Sequence, residues 1–222
     1  MVHKLKAYTI YQTDLVDDAS GFTTLGDVLS DNHAFEKLVD AVKADSCAPN
    51  NSVAISIFMR KYGFFLASLL SLATHKTRWS GSLHDIHIKE KDGDFRFQIE
   101  KRYLRKRMSE DLSALIKEYG HDVVECFSQK GRVSSFILWE NIWGYVLWIY
   151  GQLDTDHARK DLQSLIENDV WQPFKKRSPF KRFLNGRSLD ESSAEFKRVT
   201  CCLLKELPAN QKCSYCPFKN LD

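Results

Sequence analysis

Four of the six cysteines in this chain of 222 residues fall within one stretch near its end, TCCLLKELPANQKCSYCPF. Cys201 and Cys202 are adjacent. Ten residues intervene before Cys213 and Cys216, which Pro217 follows at once. Four thiolates can hold zinc or an iron–sulfur cluster. The spacing Cys213-Ser214-Tyr215-Cys216 suits chelation, because two intervening residues let both sulfurs converge on one ion, and Pro217 fixes φ as the chain leaves. The adjacent pair is different. Neighbouring side chains diverge and clasp a single ion poorly, whereas two iron centres offer them a wider target. Spacing alone favours iron–sulfur and leaves zinc, a redox thiol pair and metal-free thiols open.

The opening MVHKLKAYTIYQTDLVDD lacks the charged, apolar and small-residue regions of a secretory signal. The apolar runs 136–150 and 63–73 are shorter than the roughly 20 residues that span a bilayer, and Glu140 and Asn141 interrupt the first. The expectation is a soluble, cytoplasmic protein without a membrane span. Thiols there stay reduced, and clustered ones bind metal or do redox work rather than form staples. Cys47, in the turn DSCAPNN, and Cys126, on a helix, read as ordinary buried or partly buried thiols. His84 and His87 form an HxxH, but an odd spacing on a strand points them to opposite faces, which favours surface or packing roles. There is no P-loop, no GxGxxG opening a βαβ unit, no GxSxG elbow and no HExxH. Electrons for any redox reaction would have to come from a separate donor.

The formal net charge of +3 is too mild to argue for nucleic acid. The basic residues concentrate in EKRYLRKRMSE, with Arg102 and Arg105, and in WQPFKKRSPFKRFLNGR, with Lys175, Lys176, Lys181 and Arg182. Solvated faces are the ordinary reading. The functional one is an anion-attracting rim around a pocket, where these six would bind substrate oxygens. Phe174, Phe180 and Phe183 interleave with the second stretch as in single-strand sites, yet no nucleic-acid motif accompanies them, so no nucleic-acid partner is expected.

The elements that must position these residues are mostly helical. The pattern predicts helices over about 33–44, behind Asp31-Asn32, and over 53–74. Alternation of Ile86 and Ile88 with Phe95, Phe97 and Ile99 around Asp92-Gly93 predicts a hairpin. Further helices are expected from Ser109 to a stop at Gly120, over 133–153 and 156–168, and around 192–199. On the fourth of these, counting from the start of the chain, Trp139, Trp143, Leu147 and Tyr150 share a stripe that reads as core, with an aromatic wall under a ligand as the alternative. Residues 171–187 read as a basic loop or linker. The fold class is therefore α+β, predominantly helical, with a β-hairpin near 84–100. A body over 1–190, the expected substrate-binding domain, carries a C-terminal cysteine segment over 191–222 packed on it.

Cys-Cys-x10-Cys-x2-Cys-Pro, with the approach RVTCCLLKEL, resembles the FhuF-like ferric siderophore reductases. Over the preceding residues the likeness is one of length and helical character. The resemblance implies a 2Fe-2S cluster on Cys201, Cys202, Cys213 and Cys216. It also implies one-electron outer-sphere reduction of Fe(III) in a hydroxamate or citrate–hydroxamate siderophore. The electron would come from a ferredoxin, flavodoxin or reductase, and no side chain need act as acid, base or nucleophile. An iron–sulfur sensor and a structural zinc protein are the rival classes.

Overall fold

In the computed structural model the described residues are 13–91, 94–153, 155–208 and 212–218, so most of the opening segment and the Asp92-Gly93 turn lie outside them. Helices begin where a short polar side chain can take up free backbone N–H groups. Thr24 and Asp27 form a capping box for α1 (Leu25–Ser30), and Asp31 accepts from His33 and Ala34 at the start of α2 (Asn32–Ser46). Asn50 caps α3 (Asn51–Thr74). Cys47 ends α2 in the left-handed region at φ 53 and is exposed, not buried as the turn suggested. By length and composition α3 could cross a membrane, which the separate apolar runs did not reveal. In the fold 78% of its most apolar window is buried.

A four-stranded sheet packs on α3. Its order is β1 (Thr13–Val16), β5 (Asp94–Glu100), β4 (His87–Lys91), β2 (Thr23–Thr24), with β1 parallel to β5 and the other pairs antiparallel. The predicted alternation holds: Ile88, Phe95, Phe97 and Ile99 are buried, and the Phe97 ring lies 4.7 Å from Phe65 of α3. A second, two-stranded sheet pairs β3 (Thr77–Trp79) with β6 (Leu104–Lys106). His84 and His87 share no strand. His84 sits in a 3-10 turn, 3.2 Å from Asp27, and His87 opens β4.

The helix expected to stop at Gly120 runs on. α4 (Asp111–Leu115) passes through a π-helical stretch, Ile116–His121, into α5 (Asp122–Gly131). A Cβ on Gly120 would lie 2.8 Å from the Trp139 ring, so this glycine permits close packing rather than ending a helix. Nor does a side chain cap the start of α4. Asp111 is fully buried and holds that end through Arg78, Arg105 and the Met108 N–H. Burial alone would raise its pKa, but those hydrogen bonds outweigh it and hold the carboxyl well below its usual range.

α6 (Ser135–Gly151) lies along α3, and α7 (Asp156–Ile166) packs against both. Residues 171–187 are not a linker. Trp171, Phe180 and Phe183 are buried, and Phe180 belongs to a short helix, α8 (Pro179–Phe183). Its ring stacks on Trp143 at 4.7 Å, and Trp171 meets Trp139 edge-on at 5.0 Å. This covers the α6 stripe and makes it core. The helix expected near 192–199 forms earlier, as α9 (Leu189–Ala194), leaving 195–200 free to run toward the cysteines. Beyond them the described tail holds only a 3-10 turn, Leu204–Glu206, and bends.

Candidate functional site

Two polar residues in the apolar helix α6 build the seat for the paired cysteines. Glu140 is fully buried. Its carboxylate accepts from the Val199 N–H at 2.5 Å, from the Thr200 N–H at 2.8 Å and from the Thr200 hydroxyl, with the Arg198 guanidinium 3.3 Å away. A buried carboxylate survives only with such partners. Asn141, one residue on, donates to the Ser56 carbonyl at 3.0 Å and to the Ser56 hydroxyl at 2.9 Å. That hydroxyl in turn donates to the Cys202 carbonyl at 2.8 Å. The helices come this close because α3 has Gly63 at the seam, where a Cβ would stand 3.0 Å from the Asn141 carbonyl oxygen and 2.8 Å from the Tyr145 ring.

The sulfurs sit in an environment suited to thiolates. The Leu203 N–H points at Cys201 Sγ from 3.3 Å, Leu204 N–H at Cys202 and Tyr215 N–H at Cys213. Each donor lies two residues past its cysteine. The thiol of Cys213 donates to Cys202, and this bond, the largest influence, draws Cys202 well below an ordinary thiol against its burial. Arg198 and Arg60 act in the same direction. The same bond pushes Cys213 up. Burial raises Cys201, which is within electrostatic reach of Cys202 and Cys216. Cys216 is brought back to Cys213 by a turn in which its N–H donates to the Cys213 carbonyl at 3.0 Å.

All four thiols are free of disulfides. Among the described residues, no three His, Cys, Asp or Glu side chains are gathered as a set for one metal ion. The N–H donors at three sulfurs fit an iron–sulfur group, whose potential such bonds set.

Cys202, Cys213 and Cys216 border a cavity of about 1100 Å³ between α3, α6 and the tail. The six cations expected at a substrate rim stand elsewhere, and none lines it. Arg102 pairs with Glu100 at 2.6 Å and Arg105 with Asp111 at 2.7 Å. Lys175 pairs with Glu125 at 3.1 Å, Lys181 approaches Glu167 at 3.9 Å, and Arg182 lies over the Phe136 ring. Lys176 is exposed. The cavity's own cations are Arg60, Lys197 and Arg198.

Residues 83–191 match the family model described as "Ferric iron reductase FhuF-like transporter". Over that span, just under half of its length, the chain is similar to the FhuF-like ferric iron reductase family. No curated protein and no solved structure matches the chain. The matched span contains α6 with Glu140 and Asn141, and it ends before Cys201. These two polar residues were visible in the sequence only as breaks in an apolar run. Two polar side chains side by side on a helix that is otherwise apolar all round are the signal that could have marked them, since buried polar groups need partners.

Proposed function

We propose that the chain is a ferric-siderophore reductase in which Cys201, Cys202, Cys213 and Cys216 hold a 2Fe-2S cluster. The observation that carries the reading is the set of backbone N–H groups aimed at three of those sulfurs, on a body whose residues 83–191 match the ferric iron reductase family model. When bound, such a cluster supplies one electron to siderophore-held Fe(III), giving Fe(II), and is recharged by one electron from a separate ferredoxin, flavodoxin or reductase. The chain's own residues do the positioning. Leu203, Leu204 and Tyr215 N–H groups and the Arg60 and Arg198 guanidiniums stabilise negative charge on sulfur. Glu140 and the Asn141–Ser56 pair hold the irregular segment that carries Cys201 and Cys202.

Hard oxygen ligands hold Fe(III) far better than Fe(II), so reduction releases the metal. The cytoplasm, where imported chelates are opened and thiols stay reduced, is the compartment that this chemistry requires. The substrates proposed are hydroxamate or citrate–hydroxamate chelates.

An anaerobic absorption spectrum with iron, sulfide and zinc assays tests the centre. The reading expects visible absorption that bleaches on reduction and about two iron and two sulfide per chain. Cys213→Ser should lose both, together with ferric reduction. A colourless protein binding about one zinc, after cluster loss is excluded, sinks the proposal. So does a Cys213→Ser protein that lacks iron and sulfide yet reduces a ferric chelate at the normal rate.

A further inference from the structure

The cavity between α3, α6 and the tail is lined by cysteines, by two groups of aromatic rings and by three cations. Cys202, Cys213 and Cys216 border it without intervening protein. One wall is aromatic: the Phe64 and Tyr145 rings have centroids 3.6 Å apart, and Trp148 meets Phe64 edge-on at 6.0 Å. A second aromatic pair in the lining is Phe196 against Tyr215, at 5.1 Å. Trp148 and Tyr215 remain 40% and 52% exposed. The other four of the chain's five tryptophans are buried.

The cations differ in what they already hold. Lys197 pairs with Glu195 at 3.1 Å, and Arg198 is committed to Glu140 and to the Thr200 carbonyl. Among the described residues Arg60 forms no ion pair with a carboxylate; the Tyr145 hydroxyl and the Cys202 and Cys213 sulfurs are its electrostatic neighbours. A half-buried guanidinium without a carboxylate favours an anionic oxygen from a ligand, and disfavours a cationic one. The volume of about 1100 Å³ exceeds that of most drug-sized sites, so it admits a metal chelate with arms.

The geometry points to this cavity as the seat of a net-anionic, oxygen-liganded ferric chelate, with Arg60 on a chelate oxygen and Trp148, Phe64 and Tyr145 covering its apolar arms. The inference rests on the reductase reading, which it deepens. It places the chelate against the cysteines and assigns charge discrimination to Arg60 rather than to the basic stretches.

Binding and turnover separate the two. Gallium(III) citrate, redox-inert and anionic, and uncharged gallium(III) tris(acetohydroxamate) are titrated calorimetrically into as-isolated wild type, Arg60→Gln and Trp148→Ala, each checked for iron content. The ferric counterparts are then assayed for reduction. Arg60→Gln should weaken gallium citrate binding and raise KM for ferric citrate about tenfold or more, the worth of one charge-assisted hydrogen bond, with a much smaller change for the uncharged chelate. Trp148→Ala should weaken the methyl-bearing acetohydroxamate chelate more than the citrate, the reverse of Arg60→Gln. If wild type reduces ferric chelates and both variants bind and turn over as it does, the cavity is not the seat, while the reductase reading stands. If wild type binds gallium citrate through Arg60 but reduces no ferric chelate, the reductase reading falls and the chelate site remains.

Discussion

α6 and the cysteine tail divide the site between them in opposite ways. The tail supplies every sulfur, yet within the described residues it has only one 3-10 turn of regular structure. α6 supplies no sulfur, but most of it is buried and it gives the tail Glu140 for residues 198–200 and Asn141 for the link through Ser56 to Cys202. The family match covers the helix and stops before the thiols. Ligand chemistry is thus local and short in sequence, while the means of holding it is long-range and belongs to the body.

Removing the clamp should break that division most visibly. Glu140→Ala leaves three donors and the Arg198 charge without their acceptor, a loss of about 3–5 kcal/mol for a broken buried ion pair. Urea unfolding should show it, and limited proteolysis should find the tail cut first. Glu140→Gln, which keeps one acceptor oxygen, should lose less. An unchanged midpoint with a protected tail would mean that the tail holds itself.

Acid should act on the body independently of the tail, through Asp111. Its folded pKa is depressed, so its contribution is complete above the unfolded value of about 3.9 and is lost as pH falls toward the folded one. Denaturant midpoints between pH 6 and pH 2 should fall in wild type. The slope should be shallower in Asp111→Asn, and equal slopes would remove Asp111 from the account.

Gly63→Ala sharpens the comparison at the seam. The added methyl meets the Asn141 carbonyl oxygen at 3.0 Å, so α3 and α6 must part, at about 1–3 kcal/mol. Iron retention should drop with stability if the seam positions the thiols, and stability alone should drop if it does not. The smallest effect is expected from alanine at Lys175, Lys176, Lys181 and Arg182 together. Exposed pairs contribute about 1 kcal/mol or less, and KM for an anionic chelate should stay within about twofold. A marked rise in KM with altered salt dependence would return the substrate to that basic stretch.

The sequence showed most where the pattern was local. Asp31 announces α2, apolar residues at helical spacing announce α3, and alternation announces β4 and β5. It showed least where partners are distant. The parallel pairing of Thr13 with Phe97 has no local signature, nor does the bond from Thr200 to Glu140. Gly120 carries the residue type of a helix stop but serves Trp139, because tertiary packing overrides the local preference. The 171–187 stretch looked like a linker from its charges and prolines, yet Trp171, Phe180 and Phe183 are what the α6 stripe needs to be covered. The four thiols were legible as a set; the cavity beside them was not, since Arg60, Tyr145 and Tyr215 come from three separate segments.

The order of parts along the chain also sets an order of events. α3 and α6 end at Thr74 and Gly151, and Cys201 follows fifty residues after the second. At synthesis rates of about 5–20 residues per second, the helix pair has roughly 3–10 s in which to dock before the first paired thiol is made. The nascent body can therefore present the seat formed by Glu140 and Asn141 to a thiol-bearing segment made after it. On the proposed reading, loading of the four thiols would then follow the docking of α3 on α6 rather than precede it.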